Sequence, residues 1–270
     1  MRYREFGKTG WKVSAIGLGT WNLGNQWGEI DDATAWATIR QAFDSGVNLF
    51  DVAESYGVPN GLSEERLGEA LAGIRHRVVL VSKIGHWGKR TGQGVPKTTV
   101  DMIRLCAHAS LHRLQTDWLD VELCHEGGIE DPSVYLEAFE MLKQRGRIRA
   151  YGISTDSLDV LKRFNVNGTC DVVQVNYSLL NRAPEGAFLD YCQEHGIAVM
   201  VRGPLARGLL AGKYTRGSVF TDSVRESWNE GGARRDEFEA KIAQVEQLKT
   251  RVEPGEEMVT TALRYVISHP

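Results

Sequence analysis

Short apolar runs alternate with amphipathic stretches along most of this chain. The apolar runs predict seven strands, at residues 16–20, 47–52, 78–84, 118–125, 148–154, 172–177 and 197–201. The amphipathic stretches predict helices, at residues 31–44, 99–114, 132–144, 157–164, 186–194 and 258–268, together with one that opens at Ser63 as its N-cap. Strands that alternate with helices indicate repeated βαβ units and a parallel sheet.

This order of elements predicts an α/β fold, a TIM (β/α)₈ barrel in a single domain over residues 1–270. A hairpin of residues 3–6 and 12–14 precedes it. The eighth strand and the final helix are missing from the pattern, so either the chain continues past Pro270 or the barrel is unusual. Residues 205–235 form a long loop after the seventh strand, and such a length is typical of a functional segment such as a lid.

Composition narrows the class of protein. The chain has 270 residues, of which 42% are hydrophobic and 25% charged, with a net charge of -3. This balance is typical of a soluble globular protein, and no basic stripe indicates a nucleic-acid partner. Neither a signal peptide nor a membrane span is predicted. Four widely spaced cysteines indicate reduced thiols in a cytoplasmic protein, and they suggest no metal site.

Four polar residues whose side chains can donate or accept protons lie at or just after the ends of three predicted strands. They are Asp51, Tyr56, Lys83 and His125. In a parallel barrel the carboxyl ends of the strands open onto one face, so these side chains are expected to converge. An ammonium beside a phenol favours the ionised phenol and lowers its pKa. The set therefore predicts a proton donor, Tyr56, whose pKa is lowered by Lys83, with Asp51 holding Lys83 in place.

Further motifs occur in order over nearly the whole chain. They are Gly17-Leu18-Gly19-Thr20-Trp21, Phe50-Asp51-Val52-Ala53-Glu54-Ser55-Tyr56-Gly57, Ser63-Glu64-Glu65-Arg66-Leu67-Gly68, Val81-Ser82-Lys83, Tyr151-Gly152-Ile153-Ser154 and Gly203-Pro204-Leu205-Ala206-Arg207-Gly208-Leu209-Leu210. Each is weak by itself, but the ordered set resembles the aldo-keto reductase superfamily. The resemblance implies reduction of an aldehyde or ketone, or oxidation of a sugar-like alcohol, by hydride transfer with NADPH as cofactor and NADH as the alternative. It also implies Asp51, Tyr56, Lys83 and His125 as the catalytic tetrad, in which His125 either orients the substrate carbonyl or shares the proton relay.

The resemblance further implies a set of cofactor-binding residues. They are Gly19, Thr20, Trp21, Asp51, Ser154, Thr155, Gln174, Arg202, Gly203, Leu205, Gly208 and Lys213. Two of them depart from the family pattern. Thr155 stands where the family often has Asn, and a hydroxyl has less hydrogen-bonding capacity than an amide. Arg202 stands where many members place an aromatic residue. A planar guanidinium also stacks on a ring, and it could equally bind the pyrophosphate.

Other interpretations compete with this one. An Asp–Lys pair can be purely structural. Lys83 could form a Schiff base in a lyase, although a paired Lys is a poor nucleophile. A nicotinamide-binding regulatory module with little turnover is a further alternative. Trp21, Trp27 and Trp87 either line a substrate pocket or pack under loops, and His86 receives no role. Substrate identity and oligomeric state are not predicted.

Overall fold

The computed structural model describes residues 1–269. Its strands are β1 (Tyr3–Glu5), β2 (Lys12–Ser14), β3 (Leu18–Gly19), β4 (Leu49–Asp51), β5 (Val79–Ile84), β6 (Leu119–Cys124), β7 (Ile148–Ser154), β8 (Val172–Asn176) and β9 (Ala198–Arg202). Its α-helices are α1 (Asp32–Asp44), α2 (Leu62–Ala70), α3 (Val100–Arg113), α4 (Ser133–Gln144), α5 (Leu158–Phe164), α6 (Ala187–Glu194), α7 (Arg235–Lys249) and α8 (Met258–Ser268). No α-helix within the described chain has the length and apolar character needed to cross a membrane.

The strands form two sheets. Strands β1 and β2 pair antiparallel as the predicted hairpin, with Tyr3 opposite Ser14. Strands β3 to β9 form one sheet in chain order, and the residue pairs found between successive strands from β3 to β8 are parallel. All seven strands predicted from the apolar runs are therefore confirmed, and with the intervening helices they give the predicted α/β barrel fold. Between residues 1 and 269 an eighth parallel strand is absent.

The helices begin largely where the sequence predicts them. The side chains of Asp31, Thr99 and Ser157 accept hydrogen bonds from backbone amides and cap α1, α3 and α5. The predicted N-cap Ser63 is wrong, because α2 begins at Leu62 and Gly61 occupies the cap position, two residues earlier. The Ser63 hydroxyl instead donates to the carbonyl oxygen of Thr20, at 2.6 Å.

Two compact units make up the chain. The first contains residues 1–174 and 187–200, and the second contains residues 175–186 and those from Val201 onward. The core of the first unit is built on alternate strand residues such as Val79, Val81, Val121 and Leu123. The second unit has its own apolar core, formed by Leu209, Leu210, Phe220, Trp228, Phe238, Ile242, Val245, Met258 and Ala262.

Candidate active site

Polar side chains complete rows of core-facing residues on five neighbouring strands of the first unit. The rows are Leu49 and Asp51; Val79, Val81 and Lys83; Val121, Leu123 and His125; Ala150, Gly152 and Ser154; and Val172 and Gln174. Alternate strand residues point to the same face of a sheet, so each row starts in the core and ends in a polar group. The two-residue repeat of each strand therefore places its core residues and its polar site residue on the same face of the sheet.

Lys83 is the buried centre of this polar group. Its Nζ lies 2.7 Å from Asp51 Oδ1, and its side chain is 0% exposed. The same ammonium donates to the Val52 carbonyl oxygen at 2.8 Å and to the Tyr56 hydroxyl at 3.2 Å. Burial disfavours the charged form, but Asp51 and Tyr56 outweigh it and raise the pKa of Lys83. Lys83 therefore remains an ammonium with all three N–H donors engaged.

Aromatic rings surround Tyr56. The Trp21 ring stacks near the Tyr56 ring, with centroids 5.9 Å apart and planes 24° apart. Trp27 packs edge-on against Trp21 at 5.1 Å. The His125 ring meets the Tyr56 ring edge-on at 6.0 Å. The structure thus brings together all four residues predicted as catalytic, and it places Trp21 and Trp27 beside the phenol.

His86 also belongs to this group, although no role is predicted for it from the sequence. Its ring stacks on the ring of His125, with centroids 3.9 Å apart and planes 16° apart. The available signal was that His86 follows the end of β5, close to Lys83, at the edge where strand ends meet. The neighbouring Trp87 contacts a different group, the guanidinium of Arg113, which lies 5.1 Å from its ring.

Amide and hydroxyl groups lie beside the Lys83–Asp51 pair. Gln174 Nε2 donates to Asp51 Oδ1 at 3.0 Å, and Ser154 Oγ lies 3.4 Å from Gln174 Oε1. Thr155 is engaged differently, because its hydroxyl donates to the Gly127 carbonyl oxygen at 2.6 Å. Ser154 and Gln174 therefore place one hydroxyl and one primary amide near the Lys83–Asp51 pair.

The segment after β3 contributes Gly19, Thr20 and Trp21. The Thr20 amide and hydroxyl both donate to the Asp51 carbonyl oxygen, at 2.9 and 3.0 Å. A side chain added at Gly19 would meet no atom within 4 Å, so there is open space above this residue. Thr20 thus fixes the backbone at Asp51, while Gly19 leaves room for a ligand.

The remaining predicted cofactor residues all lie in the second unit. They are Arg202, Gly203, Leu205, Gly208 and Lys213. Gly203 and Gly208 adopt φ values of 67° and 90°, which favour glycine over other residues. Leu205 packs against the apolar core of that unit. The loop is therefore well defined within its own unit, and its contact with a cofactor stays a prediction.

Acidic residues are buried on the opposite face of β6. Glu122 is fully buried, and neither of its carboxyl oxygens has a hydrogen-bond partner in the part of the chain that the structure describes. Burial, followed by the nearby Glu64 and Glu54 carboxylates, raises the pKa of Glu122 well above its ordinary value. Burial and these neighbouring carboxylates therefore favour the neutral, protonated form of Glu122.

Comparison with known proteins places this arrangement in a family. The model of the aldo/keto reductase family matches residues 15–270. An aldo-keto reductase of Bacillus subtilis is 34% identical over 283 residues, covering 100% of this chain and 82% of that protein. An NADH-specific methylglyoxal reductase of Escherichia coli is 34% identical over 238 residues, covering 81% of this chain and 72% of that protein.

The fold agrees with a solved structure as well. The holo form of an aldo-keto reductase from Bacillus halodurans has a TM-score of 0.82 and 32% identity, and the match covers 100% of this chain and 83% of that one. The family model, the related sequences and the solved structure all identify the same family. The chain belongs to the aldo/keto reductase family of oxidoreductases, whose members use nicotinamide cofactors and act on small carbonyl compounds.

Proposed function

We propose that this protein reduces a small aldehyde or ketone, with Tyr56 donating the proton to the carbonyl oxygen. The observation that carries the proposal is the 3.2 Å contact between the Tyr56 hydroxyl and the buried Lys83 ammonium. A phenol normally titrates near pH 10, which is too high for easy proton donation at neutral pH. An adjacent ammonium stabilises the phenolate left after the transfer, so it makes the proton easier to give.

The other polar groups support this step. Asp51 and the Val52 carbonyl hold Lys83 charged and in place. His125, beside Tyr56, presents a ring nitrogen to the carbonyl oxygen and orients it toward the phenol. A reduced nicotinamide, when bound, supplies the hydride to the carbonyl carbon. The residues of this chain therefore act by orienting the carbonyl and by donating and stabilising a proton.

The donor set fits a nicotinamide. A primary carboxamide has two N–H donors and one acceptor, which complement the hydroxyl of Ser154 and the amide of Gln174. Both groups lie close to Asp51, and Gly19 leaves space nearby. We assign Ser154, Gln174, Thr20 and Trp21 to the nicotinamide end of the cofactor.

We propose NADPH as the cofactor, with NADH as the alternative. One relative is NADH-specific, so family membership alone does not decide between NADPH and NADH. Titration of the protein with each dinucleotide, followed by tryptophan fluorescence, measures it directly. Much tighter binding of NADPH supports the proposal, and tighter binding of NADH reverses the assignment. Binding of neither would overturn the reductase function for this chain.

Turnover is tested with a panel of carbonyl compounds, following the loss of reduced nicotinamide absorbance. Methylglyoxal is the first substrate to include, because a relative bears that activity in its name. NADPH-dependent reduction of at least one small aldehyde or ketone supports the proposal. Tight cofactor binding with no turnover of any carbonyl would favour the regulatory-module alternative instead.

A Schiff-base lyase is disfavoured by the same geometry. A nucleophilic amine needs a free lone pair, whereas the Lys83 ammonium is fully buried and donates to three oxygens. Its raised pKa keeps the lone pair protonated. Borohydride treatment in the presence of carbonyl substrates should therefore leave Lys83 unmodified.

A further inference from the structure

The stacking of His86 on His125 covers one face of the proposed carbonyl-orienting imidazole. The two rings are nearly parallel, 16° apart, with centroids separated by 3.9 Å. Tyr56 approaches the same His125 ring at a steep angle of 75°. His125 is therefore bounded by a flat ring on one side and by the phenol on another. Such contacts restrict rotation of an imidazole about its side-chain bonds.

The backbone around His86 is held by a residue of the Tyr56 turn. Glu54 Oε1 accepts hydrogen bonds from the amides of Gly85 and Trp87, at 2.8 and 3.3 Å. These amides belong to the two neighbours of His86 in the chain. Glu54 is itself 1% exposed, and its amide donates to the Lys83 carbonyl oxygen. The segment that carries His86 is thus fixed to the segment that carries Tyr56.

Charge around His86 favours its neutral form. Burial and the ammonium of Lys89, opposed by Glu126 and reinforced by Lys83, lower the pKa of His86 to about 4. At neutral pH the His86 ring is uncharged and a poor proton donor. Its contribution to the site is accordingly the surface that it offers to His125, and not a charge or a proton.

We propose that His86 is a positioning residue, whose ring sets the plane of the His125 imidazole beside Tyr56. The proposal rests on the carbonyl reduction proposed above, because only then does the direction of the His125 nitrogen matter for turnover. Small displacements of a group that orients a substrate lower the rate strongly, since the reacting atoms must be aligned. His86 acts through His125 and need not touch the substrate.

Three variants test this role. His86→Ala removes the stacked ring, and His86→Phe keeps a flat ring without nitrogens. His108→Ala is the control, because His108 is an exposed histidine on α3. We expect His86→Ala to lower kcat about tenfold or more, with the dissociation constant of NADPH unchanged. His86→Phe should restore most of that loss, and His108→Ala should match the wild type.

Two kinetic outcomes would overturn the proposal. A kcat of His86→Ala equal to that of the wild type would mean that the stack has no role in turnover. A kcat of His86→Phe as low as that of His86→Ala would mean that a ring nitrogen, and not the flat surface, is needed. Thermal unfolding of each variant shows whether a loss of kcat reflects loss of folded protein.

Proton NMR provides a readout that does not depend on turnover. A ring that stacks on His125 shifts its C–H resonances upfield, and a His125→Asn spectrum identifies those resonances. The upfield shift should be present in the wild type and in His86→Phe, and absent in His86→Ala. If the wild type has the shift but reduces no carbonyl, the proposed function fails. If it reduces carbonyls but lacks the shift, the positioning role of His86 fails.

Discussion

Lys83 and Asp51 form a buried ion pair at the carboxyl ends of two adjacent parallel strands. The Nζ–Oδ1 distance is 2.7 Å, with exposed side-chain fractions of 0% for Lys83 and 16% for Asp51. In the sheet, Asp51 lies opposite Val81, so Lys83 is the next residue of β5 on the same face. The register of two strands therefore brings a carboxylate and an ammonium together where the proposed chemistry takes place.

Breaking this pair should cost stability as well as activity. Lys83→Met leaves the Asp51 carboxylate without its cation, so we expect the free energy of unfolding to fall by about 3 kcal/mol. The double variant Asp51→Leu/Lys83→Met removes both charges and should recover most of that loss. Urea unfolding measures the free energy of unfolding of the single and of the double variant. Lys249→Met, which breaks a surface pair with Glu246, is the control and should cost less than about 1 kcal/mol.

The buried acid Glu122 should make stability depend on pH. The unfolded chain releases this proton near the ordinary pKa of 4.5, whereas the folded state keeps it to a higher pH. The stability that Glu122 contributes is therefore fully present below pH 4.5 and is lost as the pH rises toward the folded pKa. Relative to Glu122→Gln, the wild type should lose about 1.4 kcal/mol per pH unit in that window.

Urea unfolding of wild type and Glu122→Gln at several pH values between 4 and 8 tests this. Glu130→Gln, which alters an exposed carboxyl, is the matched control and should give a difference that does not vary with pH. Parallel stability curves for wild type and Glu122→Gln would show that folding does not raise the pKa of Glu122, which would contradict this prediction.

Gly152 should tolerate no side chain. It pairs with Val172 across β7 and β8, and a Cβ at Gly152 would lie 1.6 Å from the Val172 carbonyl oxygen. Neither strand can move without breaking the sheet, so Gly152→Ala should cost more than about 4 kcal/mol or prevent folding. Gly128→Ala, whose Cβ would meet no atom within 4 Å, should stay within about 1 kcal/mol of the wild type. Equal circular-dichroism melting of the two variants would refute this.

Thr155 should act on stability and not on cofactor affinity. Its hydroxyl donates to the Gly127 carbonyl oxygen and accepts from the Ser157 amide, so both local partners lie in the protein itself. Thr155→Val should lose about 1–2 kcal/mol of stability with an unchanged dissociation constant for NADPH. Thr155→Ser keeps the hydroxyl and is the control. A variant with normal stability but weakened NADPH binding would restore the cofactor role that the family resemblance implies.

The sequence predicts those parts of the fold and site that depend on the pattern of apolar and polar residues within a single strand or helix. Lys83 and Gln174 both lie within predicted strands, so the period of the strand already predicts where they point. The helix α7 was not predicted, although Phe238, Ile242 and Val245 have helical spacing and are buried. Charged residues fill most of its other positions and dilute that pattern.

Contacts between segments that are far apart in the sequence cannot be predicted from the pattern within one strand or helix. Gln174 reaches Asp51 across 123 residues, and only the closure of the sheet brings the two side chains together. The stacking of His86 on His125 likewise depends on how a loop after β5 is held by Glu54. The protonation of Glu122 is also not predictable from the sequence, because the presence of an acidic residue in an apolar strand does not indicate whether it is protonated in the folded state.

The most direct test of the account is the turnover of Tyr56→Phe. The variant keeps the ring beside Trp21 and removes the hydroxyl that Lys83 contacts. We predict that kcat for the best carbonyl substrate falls by about 10³-fold, while the dissociation constant of NADPH changes by less than about threefold. A Tyr56→Phe enzyme with kcat near that of the wild type would contradict the central claim, since the proton would then come from another group.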